Sequence, residues 1–144
     1  MIVIGLTGGI GSGKTLVSNL LKELGAEVID ADLVGHKAYA PHTDGWKAVV
    51  KAFGDSILGA ESEVDRKKLG AIVFSDPEAL KLLNTIMHPR MYAMLKERLA
   101  QLSATGAQVA LVEAAILLEA GWQKLMDEVW VVTSNEETVI ERLR

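Results

Sequence analysis

The chain has 144 residues, of which 49% are apolar and 24% charged, with a formal net charge of −4 and no cysteine. That is enough for one compact domain with a substantial core and too little for two ordinary ones. The composition excludes a disordered chain, the acidic balance speaks against non-specific nucleic-acid binding, and the lack of cysteine excludes disulfides and thiolate metal sites. No apolar run approaches ~18 residues, so no membrane-spanning helix is expected and a cytoplasmic setting is. The apolar start "MIVIGL" is short, lacks a basic leader and runs into glycines, which reads as a buried strand rather than a signal peptide.

Four β-rich runs are expected, at 2–7, 26–30, 108–113 and 128–133. "IVIGLT", "VALV" and "VWVV" among them are nearly continuous in apolar residues, the pattern of strands buried on both faces. After the first run, Val17, Leu20, Leu21 and Leu24 recur at helical spacing, and Gly25 stands where a helix ends without a Cβ. Strand, glycine loop, helix and strand within ~30 residues make a βαβ unit, hence a parallel sheet with a right-handed crossover.

The stretch between the second and third runs reads as wholly helical. In "SDPE" at 75–78, Ser75 is the expected cap, Pro77 lies in the first turn and Glu78 closes a capping box. Leu80, Leu83 and Met87 follow on one face; Pro89 is expected to break that helix, and Met91, Leu95, Leu99 and Leu102 to restart it. A crossover needs only about a dozen residues, so a helical insertion of about 36–104 is expected within a core of 1–35 and 105–144. Such an insertion carries a second substrate or merely covers the sheet. The final segment, "SNEETVIERLR", has the acids and arginines of a helix that stops without a C-cap, so the sequence is expected to end inside an element.

The chemistry is concentrated in "GGIGSGKT", residues 8–15, which fits the P-loop and follows a strand. Gly8, Gly9, Gly11 and Gly13, with Ile10 and Ser12 between them, let successive backbone N–H groups turn inward as an anion nest. The helix starting near Lys14 directs its positive end at the same phosphates, as does the N–H of Leu16. Lys14 supplies a charge for the β- and γ-phosphates of ATP, and the Thr15 hydroxyl is a ligand for Mg2+. Asp30 and Asp32, in "VIDAD", are expected beyond the carboxyl end of the second strand, where open parallel sheets bind ligands. Residues two apart on an extended segment point the same way; Asp32 is then a base for a substrate hydroxyl or a magnesium ligand, and Asp30 equally well a helix cap.

With these residues in place, the sequence resembles the dephospho-CoA kinase family over its whole length. The resemblance rests on "GLTGGIGSGKT", "GAEVIDAD", "DRKKLGAIVF", "LNTIMHP" and "LLEAGW" in order, and "HKAYAP" and "LLEAGW" look most like the kinase module of animal bifunctional CoA synthase. It implies a P-loop kinase-type α/β fold and transfer of phosphate from ATP to the 3′-hydroxyl of dephospho-CoA. It implies Asp32 as catalytic base, and it puts Arg66, with Lys67 and Lys68, and His88 in the acceptor-binding region. From the residues alone, the "RKK" run is equally a solvated helix face, and His88 equally a histidine satisfied at a helix break. The pattern departs from the family at Leu16, where a second hydroxyl is usual, and at Glu113-Ala114-Ala115, where an acid precedes a proline. Glu113 serves near magnesium or caps the strand end. The family continues with an arginine-bearing lid, a fifth strand and a closing helix. Another P-loop metabolite kinase, or a nucleotide-binding module inactive without that lid, is the alternative. Oligomeric state is not legible.

Overall fold

The computed structural model describes residues 1–9 and 13–133, so Ile10, Gly11 and Ser12 of the glycine loop and the expected last helix lie outside the described residues. The elements are β1 (Ile2–Gly8), α1 (Lys14–Glu23), β2 (Glu27–Asp30), α2 (Ala31–Ala38), α3 (Asp44–Phe53), α4 (Arg66–Val73), α5 (Pro77–Ala104), β3 (Val109–Glu113) and β4 (Glu128–Val132), with short 3-10 turns at Asp55–Ile57 and Trp122–Leu125. The chain divides into two compact units, Met1–Ala31 with Lys96–Arg144, and Asp32–Leu95.

The first unit holds a four-stranded sheet of order β2-β3-β1-β4, parallel throughout. Strands β1 and β3 are central, and Leu6, Ala110, Leu111 and Val112 are fully buried, as the unbroken apolar runs require. Val17 and Leu21 of α1 pack with Val28, Val109 and Val132 around Ile4, Leu6 and Leu111. The expected stripe on α1 is wider than the face that is used: Leu20 and Leu24 are 51% and 83% exposed, while Ser18 is buried. The i, i+4 pair Val17 and Leu21 supplies the contact, and the sheet covers only that strip. The helix ends as expected. Gly25 takes φ 104°, its amide donates to the carbonyl of Lys22 (3.0 Å), and that of Ala26 donates to Leu21 (3.0 Å).

The second unit is mostly helical. Thr43 caps α3 by accepting from the amide of Trp46 (3.2 Å), and Asp65 caps α4 by accepting from the amides of Lys67 and Lys68. It is not wholly helical: an antiparallel bridge joins Leu58 to Val64, and the indole N–H of Trp46 donates to the carbonyl of Ser62 in the same turn region (2.7 Å). Two further expectations are corrected. Asp76, not Ser75, caps α5, its carboxylate accepting from the amides of Glu78 and Ala79; the Ser75 hydroxyl donates backwards to Ala71 and Ile72 at the end of α4. Moreover α5 runs unbroken for 28 residues with Pro89 inside it. Proline removes one amide and crowds the carbonyl four residues back. Beside it the guanidinium of Arg90 donates to the carbonyl of Ile86 (2.7 Å), and Met87, Met91, Leu95, Leu99 and Leu102 are buried along the same helix. Burial on both sides of the proline outweighs one lost bond.

Candidate active site

Strand β1 delivers the chain to Gly8, and α1 begins at Lys14 after Gly13, whose backbone is left-handed (φ 94°, ψ 14°). A residue with a Cβ is strained there. Among the described residues Gly13 makes no side-chain capping bond and the first turn of α1 contains no acid, an arrangement whose amides and positive end suit an anionic ligand. Lys14 is half-buried, and Thr15 and Leu16 are exposed.

The strand order explains why this place is a crevice. Strand β1 lies between β3 and β4; its own connection leads to β2, beyond β3, while the chain after β3 crosses to β4 on the other side. The carboxyl end of β1 is therefore the switch point at which open α/β sheets bind ligands. Two carboxylates stand there in register. Glu113, at the end of β3, pairs with Leu6 of β1 on one side and with Asp30 of β2 on the other. Thr7 is buried and its hydroxyl donates to the carbonyl of Ala115 (3.2 Å), fastening β1 to the segment after β3.

Asp32 is placed differently from the expectation. Strand β2 ends at Asp30 and α2 starts at Ala31, so Asp32 sits exposed in the first turn of a helix and strand alternation does not orient it. Among the described residues no group of three or more His, Cys, Asp or Glu could hold a metal ion unaided.

Within the helical unit, one turn beyond Asp32 on α2, His36 meets the first residue of α4: Arg66 Nη1 lies 2.8 Å from His36 Nε2. Arginine can only donate, so in this contact Nε2 is the acceptor. The ring of Tyr39 lies 6.3 Å from that of His36. Burial pushes the Tyr39 phenol above its ordinary pKa, and the Arg66 charge partly offsets this. His36, Lys37, Tyr39, Glu63 and Arg66 line a cavity of about 360 Å³. A second, more open hollow of about 830 Å³ is lined by Arg66, Lys67, Gly70, Ala71 and the exposed Phe74.

The "RKK" run thus splits. Arg66 belongs to both hollows and Lys67 to the second, while Lys68 Nζ donates to the carbonyl of Leu58 (3.1 Å). His88 lies half-buried inside the continuous α5, so no helix break accounts for it; burial holds its pKa below the ordinary value, and it lines neither hollow. His36 and Tyr39 were not singled out as site residues by the sequence. The available signal was spacing, since His36 follows Asp32 by four residues on one helical face.

The parallel sheet, its switch point and the glycine loop between β1 and α1 define a P-loop kinase-type α/β protein. The family model for dephospho-CoA kinase matches residues 2–144. A dephospho-CoA kinase from Geobacter sulfurreducens is 47% identical over 143 residues, covering 99% of this chain and 73% of that protein. One from Oryza sativa subsp. japonica is 41% identical, covering 99% of this chain and 62% of that protein. Among solved structures, TT1252 from Thermus thermophilus superposes with a TM-score of 0.81 at 33% identity, over 99% of this chain and 70% of that one. The dephospho-CoA kinase from Campylobacter jejuni shares the fold, with a TM-score of 0.63 at 20% identity over 97% of this chain and 92% of that one. The chain belongs to the dephospho-CoA kinase family.

Proposed function

We propose that this chain uses ATP to phosphorylate the 3′-hydroxyl of dephospho-CoA, yielding CoA in the last step of its biosynthesis. The observation that carries the reading is the junction of β1 and α1, with its side-chain-free cap at Gly13, at the switch point of the sheet and beside Glu113 and Asp30. Family membership supplies the acceptor. Residues 8–16 hold the phosphates of ATP through backbone amides, and Lys14 meets the charge that grows on the transferring group. A bound Mg2+ would supply charge neutralisation at the phosphates. Thr15 would be its ligand from the loop, with Glu113 the carboxylate proposed near it. Asp32 accepts the proton of the 3′-hydroxyl, while Arg66 and His88 bind the rest of the acceptor. Both substrates are multiply charged and water-soluble, which makes the cytoplasm the proposed setting.

The reading is tested by following ADP formation with dephospho-CoA, adenosine and nucleoside monophosphates as acceptors. Turnover confined to dephospho-CoA is expected. Equal turnover with a nucleoside monophosphate makes the chain a different metabolite kinase, and ATP binding without any transfer makes it a nucleotide-binding module.

A further inference from the structure

We propose that His36 is a positioning residue for the acceptor: it holds the guanidinium of Arg66 in the cavity between α2 and α4, where that guanidinium receives the diphosphate of dephospho-CoA. The inference rests on the reading of Asp32 as the group that meets the 3′-hydroxyl, and it adds a residue to which no role has been given.

The geometry begins with the 2.8 Å contact between Arg66 Nη1 and His36 Nε2. An arginine at the start of an exposed helix has several rotatable bonds and would sample many orientations; a neutral imidazole accepting one N–H restricts it to few. Among the described residues one of its five N–H donors is taken, by His36, and the rest of the planar fork matches two oxygens of a phosphate. Lys37 brings a second positive charge to the same cavity. Glu63 also lines it, but its carboxylate accepts from the amide of Glu61 (2.8 Å), which ties it to its own turn. Tyr39 adds a phenol O–H to the same cavity, a donor to an anionic ligand.

Spacing selects the diphosphate among the parts of the acceptor. His36 follows Asp32 by four residues on α2, an axial rise of about 6 Å. In dephospho-CoA the 3′-oxygen and the first phosphorus at the 5′ position are separated by the sugar carbons and one ester oxygen, a comparable reach. A ribose whose 3′-hydroxyl lies at Asp32 can therefore bring its diphosphate to the Arg66 fork.

The test is a double-mutant cycle on the full chain, reading dephospho-CoA and ATP affinities by titration calorimetry, with thermal melts to check folding. Arg66→Ala and His36→Ala should each weaken dephospho-CoA by about tenfold, the scale of a charge-assisted hydrogen bond, and leave ATP unchanged. In the Arg66→Ala background the further His36→Ala change should have no effect, because His36 acts through Arg66. His36→Gln, whose side-chain carbonyl can accept from Arg66, should recover most of the affinity. Nitrogen NMR should show His36 with an unprotonated Nε2 and a protonated Nδ1. Additive losses in the cycle, or a protonated Nε2, would overturn the positioning role. Dephospho-CoA affinity unchanged by His36→Ala, in a parent that binds it, overturns that role alone. A parent that binds ATP but no dephospho-CoA overturns the acceptor reading, and this inference with it.

Discussion

The sheet unit and the helical unit present their candidate binding groups in different ways. In the sheet unit the candidate groups are mainly backbone: the amides at the start of α1 after Gly13, with Asp30 and Glu113 set in register by strand pairing. In the helical unit they are side chains drawn from positions 30 residues apart, as in the contact of His36 with Arg66. Backbone recognition tolerates change in side chains but not in the dihedral angles of glycines such as Gly13. Side-chain recognition tolerates change in backbone detail but depends on packing that brings helix termini together. The first arrangement suits a ligand common to many enzymes, the phosphates of a nucleotide. The second suits the ligand that distinguishes one family from another.

Substitutions can break this division or sharpen it. The largest effect is expected at Lys14, the one side-chain charge of the loop. Lys14→Ala should lower phosphate transfer by roughly 10³-fold or more, with the nucleotide-free thermal melt unchanged. Turnover within a few-fold of the parent would remove the loop from the mechanism. Next is Asp32→Asn, expected to reduce kcat by about 10²–10⁴-fold, the usual worth of general acid–base catalysis, with ATP affinity nearly constant. A parallel collapse of ATP binding would make Asp32 a magnesium or structural group instead.

Charge reversal at Arg66 should separate the two units most clearly. Arg66→Glu is expected to raise the KM for dephospho-CoA by about 10–100-fold, on the scale of a lost charge-assisted contact plus repulsion, with the KM for ATP unchanged. Equal shifts in both constants would end the division of labour. Gly45→Ala probes the packing of the helical unit without touching a proposed ligand contact. A Cβ at Gly45 would fall within van der Waals radii of the backbone carbonyl of Ala38, with no flexible group to give way. The expected loss is ~1–3 kcal/mol of stability, measured by urea unfolding; an unchanged midpoint would show that α3 can shift freely.

The smallest effect concerns His88. Burial lowers its folded pKa below the ordinary value of 6.5, so as pH falls the unfolded chain binds the proton first. The stability contributed by a neutral His88 is present above the unfolded pKa and lost as pH drops through the folded one. Urea midpoints should therefore fall between about pH 7.5 and about pH 5.5 more in the parent than in His88→Gln. Identical slopes would show that His88 titrates as a solvated group.

How much could be read without the fold varies along the chain. All four strands stand where β-rich runs put them, within a residue or so; burial on both faces explains β1 and β3, whereas β4 carries the same apolar run with Trp130 and Val131 exposed. Helix caps were legible in kind and misplaced in detail. Ser75 and Asp76 are both good capping residues, and the choice between them depended on Ser75 finding the carbonyls at the end of α4. Pro89 is the clearest miss. Helix propensity predicts a break, and burial of Met87, Met91 and Leu95 around it overrides that propensity.

The βαβ unit, the parallel α/β class and the family itself were legible from residues adjacent in the chain, since each depends on local dihedral freedom, on short motifs or on a short repeat of apolar positions. The strand order that puts β1 between β3 and β4, the pairing of Asp30 with Glu113, the helical placement of Asp32 and the contact of His36 with Arg66 were settled only by folding. They join residues far apart in sequence, and no local propensity reports which distant surface a strand edge or helix end will meet. Packing of the whole chain makes that choice, because only there do burial and hydrogen bonding compete over every alternative at once.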